Sequence, residues 1–305
     1  MTYESAEEHT KRLGIFSENL EVIAQKNADL KALGHDEIHG ITKFADHTEE
    51  EFRFFLGVDA NQEFAKLDTI SVPLLNATSG AYNLFDEKLV TAVKDQAQCG
   101  SCWAFSATET IESAWAKAGN SLTEFSPQQI VSCDTTDAGC NGGLPTQAFD
   151  YVKGAGGLAT DASYPYTSGT GDNGKCQSFT AAGGTVSAWE YTQAAASRFS
   201  SGNTEDSDAM ATALQTFGGV SIAIDASAWN SYTGGVMTSA SCSSSPRKMD
   251  HAVQVVGYDM DASDGPYWIV RNSWTAQWGE DGLIRLKAGD NTCGIANLAA
   301  YISKI

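Results

Sequence analysis

A thiol, an imidazole and two carboxamides are the groups in this sequence whose types and spacing can do chemistry together. Cys102 stands in Gln96-Ala97-Gln98-Cys99-Gly100-Ser101-Cys102-Trp103-Ala104-Phe105-Ser106. From there Trp103, Ala104, Phe105, Ala107, Ile111, Ala114, Trp115 and Ala118 fall at helical spacing, and Gly119-Asn120 supplies a stop. The thiol therefore opens a buried helix, where unpaired N–H groups and the positive dipole end favour thiolate, the nucleophilic form. Read alone, Cys102 is equally a half-cystine or an inert buried thiol. A nucleophilic cysteine needs a base, a group that orients the base, and donors for an oxyanion. Of His9, His35, His39, His47 and His251, only His251 lies beyond residue 98, so the base is chosen by elimination. Asn272, after the strand-like run Tyr267–Arg271, can orient that ring, and Trp274 can shield the bond from water. The side-chain NH₂ of Gln96 and the backbone N–H of Cys102 are the candidate oxyanion donors.

The other cysteines support one free thiol. There are seven, Cys99, Cys102, Cys133, Cys140, Cys176, Cys242 and Cys293, so at least one lacks an intrachain partner. Six paired and one free fits an oxidising compartment. Zinc is disfavoured, because Cys99/Cys102 has no second C-x-x-C and one downstream histidine. Net charge is −19, and both the first 77 residues and the remainder are acidic, which argues against nucleic acid and anionic membranes as partners. No apolar run reaches the ~18 residues of a membrane helix, and Met1-Thr2-Tyr3-Glu4 does not open like a signal peptide.

Stepping outward, residues 4 to about 33 read as one helix. Glu8, Arg12, Phe16, Asn19, Ile23 and Asn27 line one of its faces, a polar stripe that implies packing through specific hydrogen bonds. Gly40 to Asp46 alternates like a short strand. Thr48-Glu49-Glu50-Glu51 is a capping box opening a helix through Phe52, Phe55 and Leu56 to Gly57. From Val58 to about Ala81 periodicity fades into a linker, in which Asn76-Ala77-Thr78 is a glycosylation candidate. Ser126-Pro127 starts a second helix after the Cys102 helix, and Leu144 to Lys153 is a third. Cys140-Asn141-Gly142-Gly143 is a tight turn with open backbone. Ser197 to Asp208 is a polar loop before a short helix ending near Phe217. Val220–Asp225, Ala252–Tyr258, Tyr267–Arg271 and Leu283–Lys287 read as strands.

The strings Gln96-x-x-Cys99-Gly100-Ser101-Cys102-Trp103-Ala104-Phe105, Cys140-Asn141-Gly142-Gly143, Asp250-His251-Ala252 and Asn272-Ser273-Trp274 with Trp278-Gly279 resemble the papain-family cysteine proteases. The stripe from Glu8 to Asn27 and the motif Gly40-x-Thr42-x-Phe44-x-Asp46 resemble the propeptide of the cathepsin L-like branch. The resemblance spans nearly the whole chain. It implies an α+β fold of two lobes, a helical left lobe at about residues 88–190 and a β-barrel-like right lobe at about 191–305. Residues 1–77 become a helical inhibitory propeptide and 78–305 the peptidase domain, with the mature start between about 74 and 82. It also implies Cys102 as nucleophile, His251 as acid/base, Asn272 as orienter and Gln96 as oxyanion donor. The implied disulfides are Cys99–Cys140, Cys133–Cys176 and Cys242–Cys293.

The implied reaction is acyl transfer through a thioester that water releases. The pocket for the side chain two before the cut bond is Leu144, Pro145, Ala223, Met249, Ala252 and Leu298, all apolar, so Leu, Val or Phe is expected there. Gly143 is expected to pair with the substrate backbone, and Gly100, Gly142, Asp250 and Trp274 complete the substrate-binding set. The expected protein is a secreted, lysosomal or vacuolar endopeptidase made as a zymogen, a monomer with no cofactor and no metal. Its partners are protein and peptide substrates and its own propeptide. Asp46 and His47 are candidate acid triggers. An exopeptidase of the same family, or a silent protease-like binding or inhibitory protein, is the alternative. Leu84 and Phe85 replace a tryptophan usual in the family, Ala97 and Thr275 replace glycines, and Thr42 replaces an asparagine.

Overall fold

The structure, a computed structural model of the chain, describes residues 3, 5–58, 69–75, 79–197 and 200–305. Asn76, part of the 58–81 linker and part of the 197–208 loop lie outside the described residues.

The N-terminal segment builds its own scaffold. Helix α1 (Ala6–Ala32) starts on Ser5, whose hydroxyl accepts from Glu8 N. Its polar stripe bonds to residues 39–51 of the same segment. Arg12 grips Glu51 with two bonds of 2.6 and 2.9 Å, donates to the Asp46 carbonyl at 3.0 Å and to Glu8 at 2.6 Å. Such forked, charged bonds are the stronger kind. Asn19 donates to the Ala45 and His47 carbonyls, and Asn27 closes a two-bond clamp on the His39 backbone. Helix α2 (Glu49–Arg53) carries the expected capping box on Thr48, but it ends at Arg53 rather than running to Leu56. The alternation over Gly40–Asp46 does not make a strand. Thr42 Oγ1 accepts from Phe44 N and donates to the Asn230 carbonyl, which folds 43–46 into a turn. That turn drives Phe44 into an aromatic cluster with Phe52, Phe55 and Trp274, at centroid distances of 5.0, 4.9 and 5.1 Å.

The helical lobe is α3 (Cys102–Lys117), α4 (Pro127–Cys133) and α5 (Pro145–Ala155). Helix α3 is buried on nearly every face, and its buried Glu109 and Glu112 pair with Arg271 and Lys94. After it come β2 (Ala188–Tyr191), α6 (Ser207–Phe217), β3 (Val220–Ile224), β4 (Val236–Met237), β5 (His251–Asp259), β6 (Tyr267–Arg271), β7 (Leu283–Lys287) and β8 (Ala299–Lys304), with β1 (Ala81–Asn83) lying earlier in the chain. The strands run in the order β2-β8-β3-β5-β6-β7-β4, with β1 on β5, and all pairs are antiparallel except β4 with β7. This path is open at β2 and β4, so the barrel-like expectation is corrected to an unclosed sheet. Disulfides join Cys99 to Cys140, Cys133 to Cys176 and Cys242 to Cys293, and Cys102 is the free cysteine.

Two cores flank the junction between lobes. One combines the faces of α3, α4 and α5 with β2 and β8; the other lies between the sheet and α6 and takes in Phe44, Phe52 and Phe55. The N-terminal segment is thus docked by apolar burial, about 1.5–3 kcal/mol for each fully buried large side chain. Its backbone adds bonds from Gly40 N to the Ser231 carbonyl and from Thr233 N to the Ile38 carbonyl.

Candidate functional site

Two elements meet at the sulfur. Helix α3 begins with Cys102, and β5 begins with His251. The next β5 residue, Ala252, points its N–H at Cys102 Sγ from 3.3 Å, which brings the start of the strand onto the tip of the helix. His251 Nε2 lies 2.8 Å from Asn272 Oδ1. A carboxamide oxygen only accepts, so Nε2 carries the proton and Nδ1 keeps the lone pair. Nδ1 is buried and has no hydrogen-bond partner among the described residues. Asn272 follows β6 and is anchored by its own N–H on the Gly282 carbonyl. Trp274 stacks on the imidazole at 4.6 Å and 27°, covering the His251–Asn272 bond.

Gln96 is held from three sides. Its Oε1 accepts from Ser273 Oγ at 2.6 Å, while Nε2 donates to the Cys99 carbonyl at 2.8 Å and the Phe55 carbonyl at 3.0 Å. The Cys99–Cys140 disulfide brings Gly142 and Gly143 beside this turn, and Gly100 N donates to the Cys140 carbonyl. Ala223, Met249, Ala252 and Leu298 form one buried cluster with Cys102; Leu144 and Pro145 are buried too. The structure thus gathers the candidate site residues at one junction.

A stretch of the chain's own backbone occupies that junction. Gly143 N donates to the Gly57 carbonyl at 2.9 Å and Val58 N to the Asp250 carbonyl at 3.0 Å, with Val58 and Gly143 bridged in parallel. The Val58 side chain packs on the Cys102–Leu298 cluster. A Cβ at Gly57 would lie 1.9 Å from the Gly100 carbonyl oxygen, so the crossing requires glycine.

Burial under this stretch sets the protonation of the pair. It pushes the Cys102 thiol up to about 12 despite backbone N–H groups of Ala252, Gly57 and Trp103, which pull the other way. It pushes the His251 imidazole down to about 4, against the bond from Asn272. Burial under the segment therefore opposes the thiolate that the helix tip favours. Asp250 is likewise raised, to about 7, by burial.

Sequence reasoning missed Ser273, which fixes Gln96, and Tyr166, whose hydroxyl reaches the Gln96 carbonyl at 2.8 Å. It also missed that Ala97 and Thr275, standing where glycines are usual, have φ of +49° and +70°. Each costs about 1–2 kcal/mol of left-handed strain, a signal present in the sequence as two departures at turns.

Comparison with known proteins supplies the context. Residues 81–303 match the model for "Papain family cysteine protease", and residues 1–52 match "Cathepsin propeptide inhibitor domain (I29)". A "Cysteine proteinase" of Trypanosoma brucei brucei is 40% identical over 298 residues, covering 95% of this chain and 62% of that protein. The "Pro-cathepsin H" of Medicago truncatula is 38% identical over 309 residues, covering 98% and 81%. The chain thus spans less than two thirds of the trypanosome relative's length. Among solved structures, the digestive procathepsin L2 proteinase from Tenebrio molitor larval midgut superposes with a TM-score of 0.82 at 32% identity, covering 99% of this chain and 95% of that one.

Proposed function

Because the chain belongs to the papain family of cysteine proteases, we propose that it is a cysteine endopeptidase held latent by residues 1–77 and freed at acid pH by their removal. Residues 78–305 are the peptidase, and the cut falls between about 74 and 82. The observation that carries this reading is the Phe55–Val58 backbone lying across the cleft, bonded to Gln96, Gly143 and Asp250. The groove accepts an extended peptide. The Phe55 carbonyl takes Gln96 Nε2 and the Gly57 carbonyl takes Gly143 N, so the segment fills the path proposed for the substrate backbone.

With the segment gone, water reaches the pair and the penalty for charging it falls. His251 Nδ1 takes the Cys102 proton, and the sulfur attacks the substrate carbonyl carbon. The carbonyl oxygen becomes an oxyanion beside Gln96 Nε2 and the Cys102 N–H. As the C–N bond breaks, the imidazolium returns the proton to the leaving amine, and a thioester remains. Water, deprotonated by His251, attacks the thioester and restores the thiol. Asn272 and Trp274 hold the ring through both steps, and Gly100, Gly142, Gly143 and Asp250 line the path of the substrate backbone.

The pocket of Leu144, Pro145, Ala223, Met249, Ala252 and Leu298 takes an apolar side chain two residues before the cut. Endopeptidase is favoured over exopeptidase because His251 is the only histidine in residues 99–305 and residues 1–98 hold no cysteine to tether an obstructing segment. Three disulfides support a secreted, lysosomal or vacuolar setting. The test is hydrolysis of a Leu-containing peptide amide by the acid-treated chain. The reading predicts turnover that Cys102→Ser abolishes; undiminished turnover by that variant overturns it.

A further inference from the structure

Tyr166 touches no substrate in the mechanism above, yet its hydroxyl ties together the two ends of the turn that carries both oxyanion donors. The donors are Gln96 Nε2 and the Cys102 N–H, six residues apart. The phenol donates to the Gln96 carbonyl at 2.8 Å and lies 2.9 Å from Ser101 Oγ, the residue before Cys102. With the phenol proton given to Gln96, the serine hydroxyl donates to the phenol oxygen. One oxygen thus links the residue of the first donor to the residue just before the second.

The turn does not hold this shape by itself. Ala97, between the donors, has φ +49°, a left-handed conformation that a Cβ disfavours. Strain of this kind persists only where the surroundings impose it. Those surroundings are the loop bearing Tyr166. Gly169, three residues on, accepts Gln98 N–H at 3.0 Å, and the Tyr166 ring packs edge-on against Phe105 of α3 at 4.9 Å. Ser101 makes no capping bond to the helix, and its hydroxyl lies nearer the phenol, at 2.9 Å, than the Cys99 carbonyl, at 3.5 Å.

We propose that Tyr166 is a positioning residue that fixes the spacing of the two oxyanion donors. This rests on the peptidase reading and specifies what builds its oxyanion site. Removing an oxyanion donor outright costs about 10²–10³ in kcat. Loosening the turn that aims the donors, with both still present, is expected to cost about tenfold.

The experiment compares wild-type full chain and Tyr166→Phe, both acid-processed, with three probes of the same thiol. Hydrolysis of a Leu-containing peptide amide forms an oxyanion. A peptide aldehyde also does, as the sulfur adds to its carbonyl carbon. Iodoacetamide does not, because the sulfur displaces iodide from a methylene carbon. The inference predicts kcat lowered about tenfold, aldehyde binding weakened about tenfold, and KM and alkylation rate within about twofold of wild type. A kcat within about twofold of wild type overturns it. So does an alkylation rate that falls in step with kcat, since that is general loss of the site. Ser101→Ala, which removes the other hydroxyl of the clasp, must give the same split if Tyr166→Phe does not accumulate. Wild-type turnover in the same assay separates failure of this inference from failure of the peptidase reading.

Discussion

Protonation of His39 is the perturbation expected to loosen the N-terminal segment. His39 is 7% exposed, beneath α1 and against residues 230–232. Its Nδ1 lies 3.0 Å from Ser231 Oγ, and the half-buried Lys26 ammonium lies 3.4 Å from the same oxygen. The ammonium can only donate, so the serine hydroxyl accepts from Lys26 and donates to an unprotonated Nδ1. Asp29, the carboxylate that lines a surface cavity with Lys26 and His39, is engaged by Gln25. Protonation therefore sets two cations on one hydroxyl. Burial, then Lys26, holds the imidazole down from its ordinary 6.5 to about 4. The docked pKa is depressed, so docking is strongest above pH 6.5, weakens below it, and has lost the whole contribution once pH falls through 4. By linkage, going from pH 7 to pH 5 weakens docking about 20-fold, or about 2 kcal/mol. Arg12 holds Glu51 down to about 2, so the pair inside the segment survives at pH 5. The assay is hydrogen exchange of the Gly40 and Thr233 amides, which bond across the interface, in a Cys102→Ala chain that cannot process itself. Wild-type protection, corrected for intrinsic rates, should drop about 20-fold more than that of His39→Gln. Equal drops refute the reasoning. Asp46→Asn in the same assay tests the Asp46–His47 pair, which sits at 3.0 Å; an unchanged pH response removes its trigger role.

Gly57→Ala puts a methyl group where the Gly100 carbonyl stands at 1.9 Å, so the crossing segment cannot seat. Unprocessed chain carrying it should hydrolyse peptide at pH 7 at least about tenfold faster than wild-type zymogen, read with a fluorogenic substrate. The processed enzyme should favour Leu over Arg two residues before the cut by at least about 30-fold in kcat/KM, the ratio that burying one large apolar side chain supports. Leu298→Glu should reverse that order, measured on a matched pair of peptide amides.

The positions of the candidate site were legible because its residue types do little else together: Ala252, next to His251, meets Cys102 Sγ, and the His251 ring meets Asn272. The strand Tyr267–Arg271, an aromatic and β-branched run, was legible for the same local reason. What escaped was fixed at a distance. Strand β8 begins with two alanines and is a strand because β2 and β3 pair with it. The turn at 43–46 alternates like a strand, yet Thr42 binds Asn230 instead of a neighbouring strand. Helix position alone predicts a thiolate at Cys102; burial under Gly57 outweighs it, and only the folded chain brings residue 57 to residue 102. Tyr166 is one tyrosine among ten until its hydroxyl is found between Gln96 and Ser101.

The central claim is that Cys102 is the nucleophile and that residues 55–58 keep it from reacting. Peptide mapping after treatment with iodoacetamide tests it most directly, on the intact chain at pH 7 and on the acid-processed chain. The account predicts an alkyl group on Cys102 after processing only, with peptide hydrolysis lost in proportion to labelling. Hydrolysis that survives full labelling, or equal labelling of Cys102 in the intact chain, contradicts it.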